Sequence, residues 1–344
     1  MTINVLDTHT LMGIKEQTPQ FESFFLNMFF GSVVTFGTKE IAFDKLVKGV
    51  KLAPFVSPMV AGRALKQRGG KLVSFAPAYV KPTDVVEPGQ LLKRRPGEMI
   101  GGSLSPVQRR LAVVTQLLMD QEESIVHREE WMAVQAVMTG KVVVKGDDYP
   151  EQEVDFGRNA NNNVTLAGAA KWDTVDADTY DPTDDIEDWA ELASGPVDVL
   201  VFDKAGWRKF RSFKAVKENL DTTQRGSTSS IQLGPQLSKA VTFKGYFGEY
   251  AIYVYSGKYT DPDTDTQTNY MPSNSLLLAP SNYDGVRAYG AIQDAKANAE
   301  GIVSTTRHTK NWFSEDPSVE RLQTQAAPLM VTPDPDAFVA VTLF

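Results

Sequence analysis

The segment YDPTDDIEDW, residues 180–189, places Asp181, Asp184, Asp185, Glu187 and Asp188 within ten positions, and acids at that density could chelate a cation or pair for acid/base catalysis. A calcium loop needs alternating oxygen ligands, a glycine at its sharp turn and a bidentate acid after it. Neither the glycine nor the spacing is present. The run fits a helix start better, with Asp181 as N-cap, Pro182 at the first helical position, Asp184 three residues past the cap, and Ile186, Trp189 and Leu192 on one face. Acids in a first turn also complement the positive end of the helix dipole. His9, His127 and His308 stand far apart, outside any HxxxH or HExxH spacing, and the chain has no cysteine, which removes thiolate metal sites and cysteine nucleophiles. GxSxG, GxxxxGK[ST] and GxGxxG are missing too, so no cofactor is expected. Carboxylates from separate segments could still converge across two lobes, and a soluble hydrolase is the alternative that this leaves open.

The elements that would position such residues belong to a globular protein. With 344 residues, 42% of them hydrophobic, the chain can bury a sizeable core as two domains or one elaborated fold. Its 35 basic and 43 acidic residues give a net charge of −8, which disfavours phosphate-gripping nucleic-acid recognition. No window approaches the ~20 apolar residues of a membrane span, and the N-terminus does not read as a secretory signal.

The aromatic cluster between Phe21 and Phe36 predicts burial against a partner element. Prolines punctuating residues 50–86 predict edge strands and extended excursions. Within that stretch Gly69 and Gly70 suit a tight turn between two segments that could pair, giving a basic hairpin with Arg63, Lys66, Arg68 and Lys71. Ser105, Pro106 and Gln108 form a capping-box start, Gly140 supplies a stop, and apolar residues from Leu111 to Met138 recur at helical spacing. The charged residues Arg109, Asp120, Glu123, Arg128 and Glu130 are assigned to the remaining faces of this helix. It would run ~50 Å, long enough for a spine.

Downstream, KVVVKGDDYPEQEVDFG predicts two strands around a Gly-Asp-Asp turn, RNANNNVTLAGAAKW a polar loop, and VDVLVFD a buried strand. GWRKFRSFKAVKENL reads as one helix, KAVTFKGYFGEYAIYVYSGKY as two strands turning near Gly248, 261–269 as an exposed loop, and the C-terminus as an alternating strand.

Several idiosyncratic stretches carry a further signal: FVSPMVAGRALKQRGGKLVSFAPAYVKP, YDPTDDIEDWAELASG, VLVFDKAGWRKFRSFKAVKENLDT, KAVTFKGYFGEYAIYVYSGKY, YGAIQDAKANAEGI, KNW and QAAPLMVTPDPDAFVAV. In order, over about Phe21 to Phe344, they resemble the major capsid protein of lambda-type tailed phages, the phage capsid E family. The resemblance implies an α+β fold of the tailed-phage and herpesvirus type (Hong Kong 97-like). Its parts would be an N-terminal arm at 1–50, an extended loop at 51–100, a peripheral domain with spine helix at 101–185, an axial domain at 186–314 and a return to the peripheral domain at 315–344.

It also implies a structural protein without catalytic, cofactor or metal residues. Such a protein self-assembles as hexamers and pentamers into an icosahedral shell, first as a precursor that then expands, and encloses double-stranded DNA without sequence-specific binding. Its implied partners are further copies, a scaffolding protein, a portal and a decoration protein, with no membrane. The expected location is the virion capsid after assembly in the bacterial host cytoplasm. Arg63, Arg68 and Lys71, with Gly69 and Gly70 shaping the tip, are the expected contacts between capsomers.

Overall fold

The computed structural model describes residues 23–46, 70–89, 105–146, 149–221 and 240–344. Helix α1 (Phe24–Phe29) and strands β1 (Ser32–Thr35), β2 (Ile41–Leu46), β3 (Gly70–Phe75) and β4 (Thr83–Val86) precede the long helix α2 (Pro106–Thr139). Next come β5 (Lys141–Gly146), β6 (Tyr149–Asp155), β7 (Asn163–Thr165), α3 (Thr183–Leu192), β8 (Val199–Phe202), α4 (Lys204–Phe210), α5 (Lys214–Asn219) and β9 (Leu220–Asp221). They are followed by β10 (Val241–Phe247), β11 (Tyr250–Tyr255), β12 (Lys258–Thr260), β13 (Gln267–Asn269), β14 (Ser275–Ala279), β15 (Val286–Tyr289) and α6 (Ala295–Glu300). The last strands are β16 (His308–Ser314), β17 (Val319–Gln325), β18 (Pro328–Val331) and β19 (Val339–Thr342).

The limits of α2 follow from local chemistry. Ser105 Oγ accepts from the Gln108 amide at 3.3 Å while Gln108 Oε1 accepts from the Ser105 amide at 2.8 Å, so two of the helix's unpaired donors are satisfied reciprocally. At the other end Gly140 takes φ +72°, where a side chain would also meet Arg158 Cβ at 2.6 Å. The Arg158 guanidinium fills that space and donates to the free carbonyls of Val137 and Met138. Burial pushes its pKa down to about 10, which leaves the cation intact at neutral pH beside the negative helix end. Ser105→Ala should lower stability by ~1 kcal/mol, read as a shift in the urea midpoint of the unassembled subunit.

A seven-stranded mixed sheet in the order β7-β19-β14-β8-β11-β10-β9 divides two cores. Its central strand β8 is buried on both faces: Val199 and Val201 join the core under the second half of α2, and Leu200 and Phe202 join Trp172, Trp189, Phe210 and Phe213 on the other side. A third apolar cluster, Val86, Val113, Val114, Leu118 and Leu322, seats the first half of α2 on the sheet β16-β17-β4.

Four sequence expectations change. The helix expected over residues 206–220 is two helices, α4 and α5, because a tight turn through Arg211–Phe213 swings Phe213 against Trp172 and Tyr180. β19 has a core on each face, Ala340 facing one and Val339 and Val341 the other, so all three are buried and do not alternate. The stretch 158–172, expected as a polar loop, contains β7 and ends in the fully buried Trp172. Finally, β3 pairs over its whole length with β2, Gly70 opposing Leu46, so Gly70 is a strand residue and the ribbon's second strand lies upstream of the proline-rich segment.

Candidate functional site

The acidic run is a helix start. Its N-cap position falls on Pro182, one residue later than the sequence predicts, because Asp181 Oδ1 closes a turn onto the Thr183 amide at 3.0 Å. Ile186 and Trp189 are buried, whereas Leu192, expected beside them, is 39% exposed. Asp185 accepts from Trp172 Nε1 at 2.8 Å and from the Tyr180 hydroxyl, and burial together with this carboxylate holds the Tyr180 pKa above its ordinary value. The acid with the best-defined partners thus ties the helix to the core. Among the described residues no group of three or more His, Asp or Glu is placed to hold a metal.

A half-open cleft of about 510 Å³ lies between the middle of α2 and the β12–β13 hairpin, bordered by His127, Arg128, Trp131, Tyr259 and Pro82. No carboxylate lines it, so it lacks the convergent acids that the hydrolase reading requires. His127 Nδ1 meets the Tyr270 hydroxyl on the neighbouring wall.

The polar chemistry of α2 lies on its buried face, which the sequence reading did not find. Glu130, assigned there to an outer face, is 0% exposed. It accepts from the amides of Phe25 and Leu26 at 3.0 Å each and from the Tyr255 hydroxyl at 3.1 Å, so it caps α1 from across the molecule. Burial raises its pKa, opposed by these hydrogen bonds. Arg307 inserts between Glu122 and Glu129, at 3.2 Å and 2.8 Å. Arg110 grips Glu320 in a two-pronged pair at 2.7 Å, and Asn311 donates to the same carboxylate at 2.8 Å. Gln121 donates to Asp84 and to the Leu322 carbonyl, binding β4 and β17 to the helix. One helix therefore organises the N-terminal segment, the hairpin β5–β6 and the β16-β17-β4 sheet.

His308, buried at the start of β16, has neither ring nitrogen hydrogen-bonded, and burial lowers its pKa. The charges around it, Asp294, Lys296 and Glu300 at α6 and Lys310 on its own strand, balance in sign. A depressed histidine pKa contributes stability above the unfolded value near 6.5, and that contribution is lost as pH falls. Urea midpoints between pH 7.5 and 5.5 should therefore drop more for wild type than for His308→Leu; parallel curves would contradict this.

Residues 7–343 match the family described as phage major capsid protein E. The chain belongs to that family. It is 43% identical to the major capsid protein of Escherichia phage N15 and 42% identical to that of Escherichia phage lambda, each over 99% of this chain and 100% of the relative. The crystal structure of a putative capsid protein of an E. coli CFT073 prophage superposes with a TM-score of 0.82 at 32% identity, covering 99% of this chain and 100% of that one. The fold is accordingly the Hong Kong 97-like α+β fold of phage capsid proteins, and the function is that of a major capsid protein, a structural component of the virion shell. Nothing in these comparisons supports the hydrolase reading.

For a capsid protein the functional residues are those that meet other copies. Of those expected from sequence, Arg63, Arg68 and Gly69 lie outside the described residues. Gly70 and Lys71 open β3, where Lys71 stands in register with Lys45. At its base the ribbon is anchored by Ile41, buried, and Phe75, half-buried, both packed on the main core. Among the described residues it pairs with no other sheet.

Proposed function

We propose that this capsid protein assembles as hexamers and pentamers that close an icosahedral shell around double-stranded DNA, held without sequence-specific contacts. The full-length similarity to major capsid proteins carries the reading. Residues 1–50 act as an arm, 51–100 as an extended loop, 101–185 with 315–344 as the peripheral domain and 186–314 as the axial domain. Loop and arm reach over neighbours, adding buried area that a compact subunit does not offer. Repetition of weak contacts then makes the shell stable. Arg63, Arg68, Gly69, Gly70 and Lys71 contribute at the loop to contacts between capsomers. The ribbon anchored at Ile41 and Phe75 supports this part of the reading, because it gives residues 47–69 a fixed base.

Assembly takes place in the bacterial host cytoplasm with a scaffolding protein and a portal, and a decoration protein joins the shell. Electron microscopy of the chain coexpressed with its scaffold should show closed particles. Persistent monomers under those conditions would overturn the reading. Arg68→Glu should reduce particle yield or salt resistance, and unchanged particles would remove the loop residues from the contact.

A further inference from the structure

Charge is distributed unevenly over the part of the chain that covers one face of the seven-stranded sheet. From Asp173 to Glu191 there are seven Asp and two Glu and no basic residue, while from Lys204 to Lys217 there are six Lys and Arg and no acid, with Glu218 following. The helices in both segments bury their apolar side in the same core: Ile186 and Trp189 from α3, Trp207 and Phe210 from α4, Val216 from α5. Their outward faces therefore have opposite sign. Asp184, Glu187, Asp188 and Glu191 are exposed on α3, and Lys204, Arg208, Arg211, Lys214 and Lys217 are exposed on and between α4 and α5. Among the described residues none of these nine side chains forms an ion pair.

On the helices the two faces leave the core over different strands, while residues 173–180 run between them: Lys209 Nζ donates to the Val175 carbonyl at 3.4 Å and the Lys214 amide to the Ala177 carbonyl at 2.9 Å. α3 lies against β19 and the turn at 160–162 that opens β7, at one edge of the sheet. α4 lies on β14, β8 and β11, and α5 runs directly into β9 at the opposite edge. Two copies related by a twofold axis through either patch would bring like charges together, which costs energy. A head-to-tail arrangement brings acid to base at every contact, and it closes into a ring when the rotation between neighbours returns to the start.

We propose that the acidic face of α3 and the basic face of α4–α5 are the two halves of one contact between neighbouring copies, made head to tail around each capsomer. This rests on the capsid reading above and adds which surfaces meet and in what sense.

The test uses the full chain coexpressed with scaffold, with particle yield read from gradients and electron microscopy. Arg208→Glu with Arg211→Glu, and separately Glu187→Lys with Asp188→Lys, should each cut the yield at least tenfold while the soluble subunit keeps the wild-type circular dichroism. The variant carrying all four changes has its signs exchanged on both faces and should regain most of the yield. Wild-type yield from either two-residue variant would overturn the proposal. Failure of the four-residue variant to recover, with its fold intact, would also overturn it, since the two faces would then serve different partners. If wild type itself gave no particles, the capsid reading would fall.

Discussion

Arg307→Ala should destabilise the unassembled subunit by about 3–5 kcal/mol, the usual consequence of removing one member of a buried ionic cluster. Arg307 is 4% exposed, and its guanidinium is shared between Glu122 and Glu129, themselves 8% and 2% exposed, while its plane sits 5.5 Å from the Tyr289 ring. The two carboxylates hold the Arg307 pKa above its ordinary value despite burial. Removing the cation leaves two buried acids without their counter-ion. Arg307→Lys should recover little, because an ammonium cannot span both acids with the geometry of a planar fork. Replacing the cluster as a whole, with Arg307→Met, Glu122→Leu and Glu129→Leu together, should lie much closer to wild type, since each ion's desolvation cost disappears along with its partner. Urea midpoints followed by tryptophan fluorescence would rank the variants. A loss below ~1 kcal/mol for Arg307→Ala would mean that water reaches the cluster.

The features legible in the sequence were those whose causes are local. The capping box at Ser105, the αL stop at Gly140 and the strands turning at Gly248 depend on residues within a few positions of one another, and each stands where the sequence predicts. Glu130 and Arg307 depend on partners more than a hundred residues away, and a glutamate on a helix reads as solvated unless something contradicts it. A contradiction was present: Glu122 and Glu129 fall seven apart within the stripe formed by Leu118, Ile125 and Met132, where only buried side chains recur. Acids inside an apolar stripe point to a buried pair whose counter-ion comes from elsewhere. Trp172 and the break between α4 and α5 were hidden for a related reason. The turn at Arg211–Phe213 is fixed by what Phe213 packs against, and neither propensity nor charge pattern records that. Family resemblance brought in the fold and the function, but it did not identify which buried acids hold the pieces together.

Glu130→Ala should cost about 3 kcal/mol and loosen the attachment of the N-terminal segment. α1 has only six residues, and its N-cap Ser23 makes no capping hydrogen bond, so the amides of Phe25 and Leu26 depend on the Glu130 carboxylate. Alanine would leave those two donors and the Tyr255 hydroxyl without acceptors in a dry core, each at ~1–3 kcal/mol, partly offset by release of the carboxylate from burial. Glu130→Gln keeps one acceptor oxygen and should lose less, whereas Ser23→Ala should be nearly silent because that hydroxyl has no partner. The pH dependence separates this role from simple packing. Because burial raises the folded-state pKa of Glu130, the group contributes most below its unfolded value near 4.3, and its contribution declines as pH rises through the folded value. The stability advantage of wild type over Glu130→Gln should therefore shrink between pH 4 and pH 7, while limited proteolysis of the alanine variant should cut first at α1. A constant advantage across that range would mean that the carboxylate does not titrate differently in the folded chain.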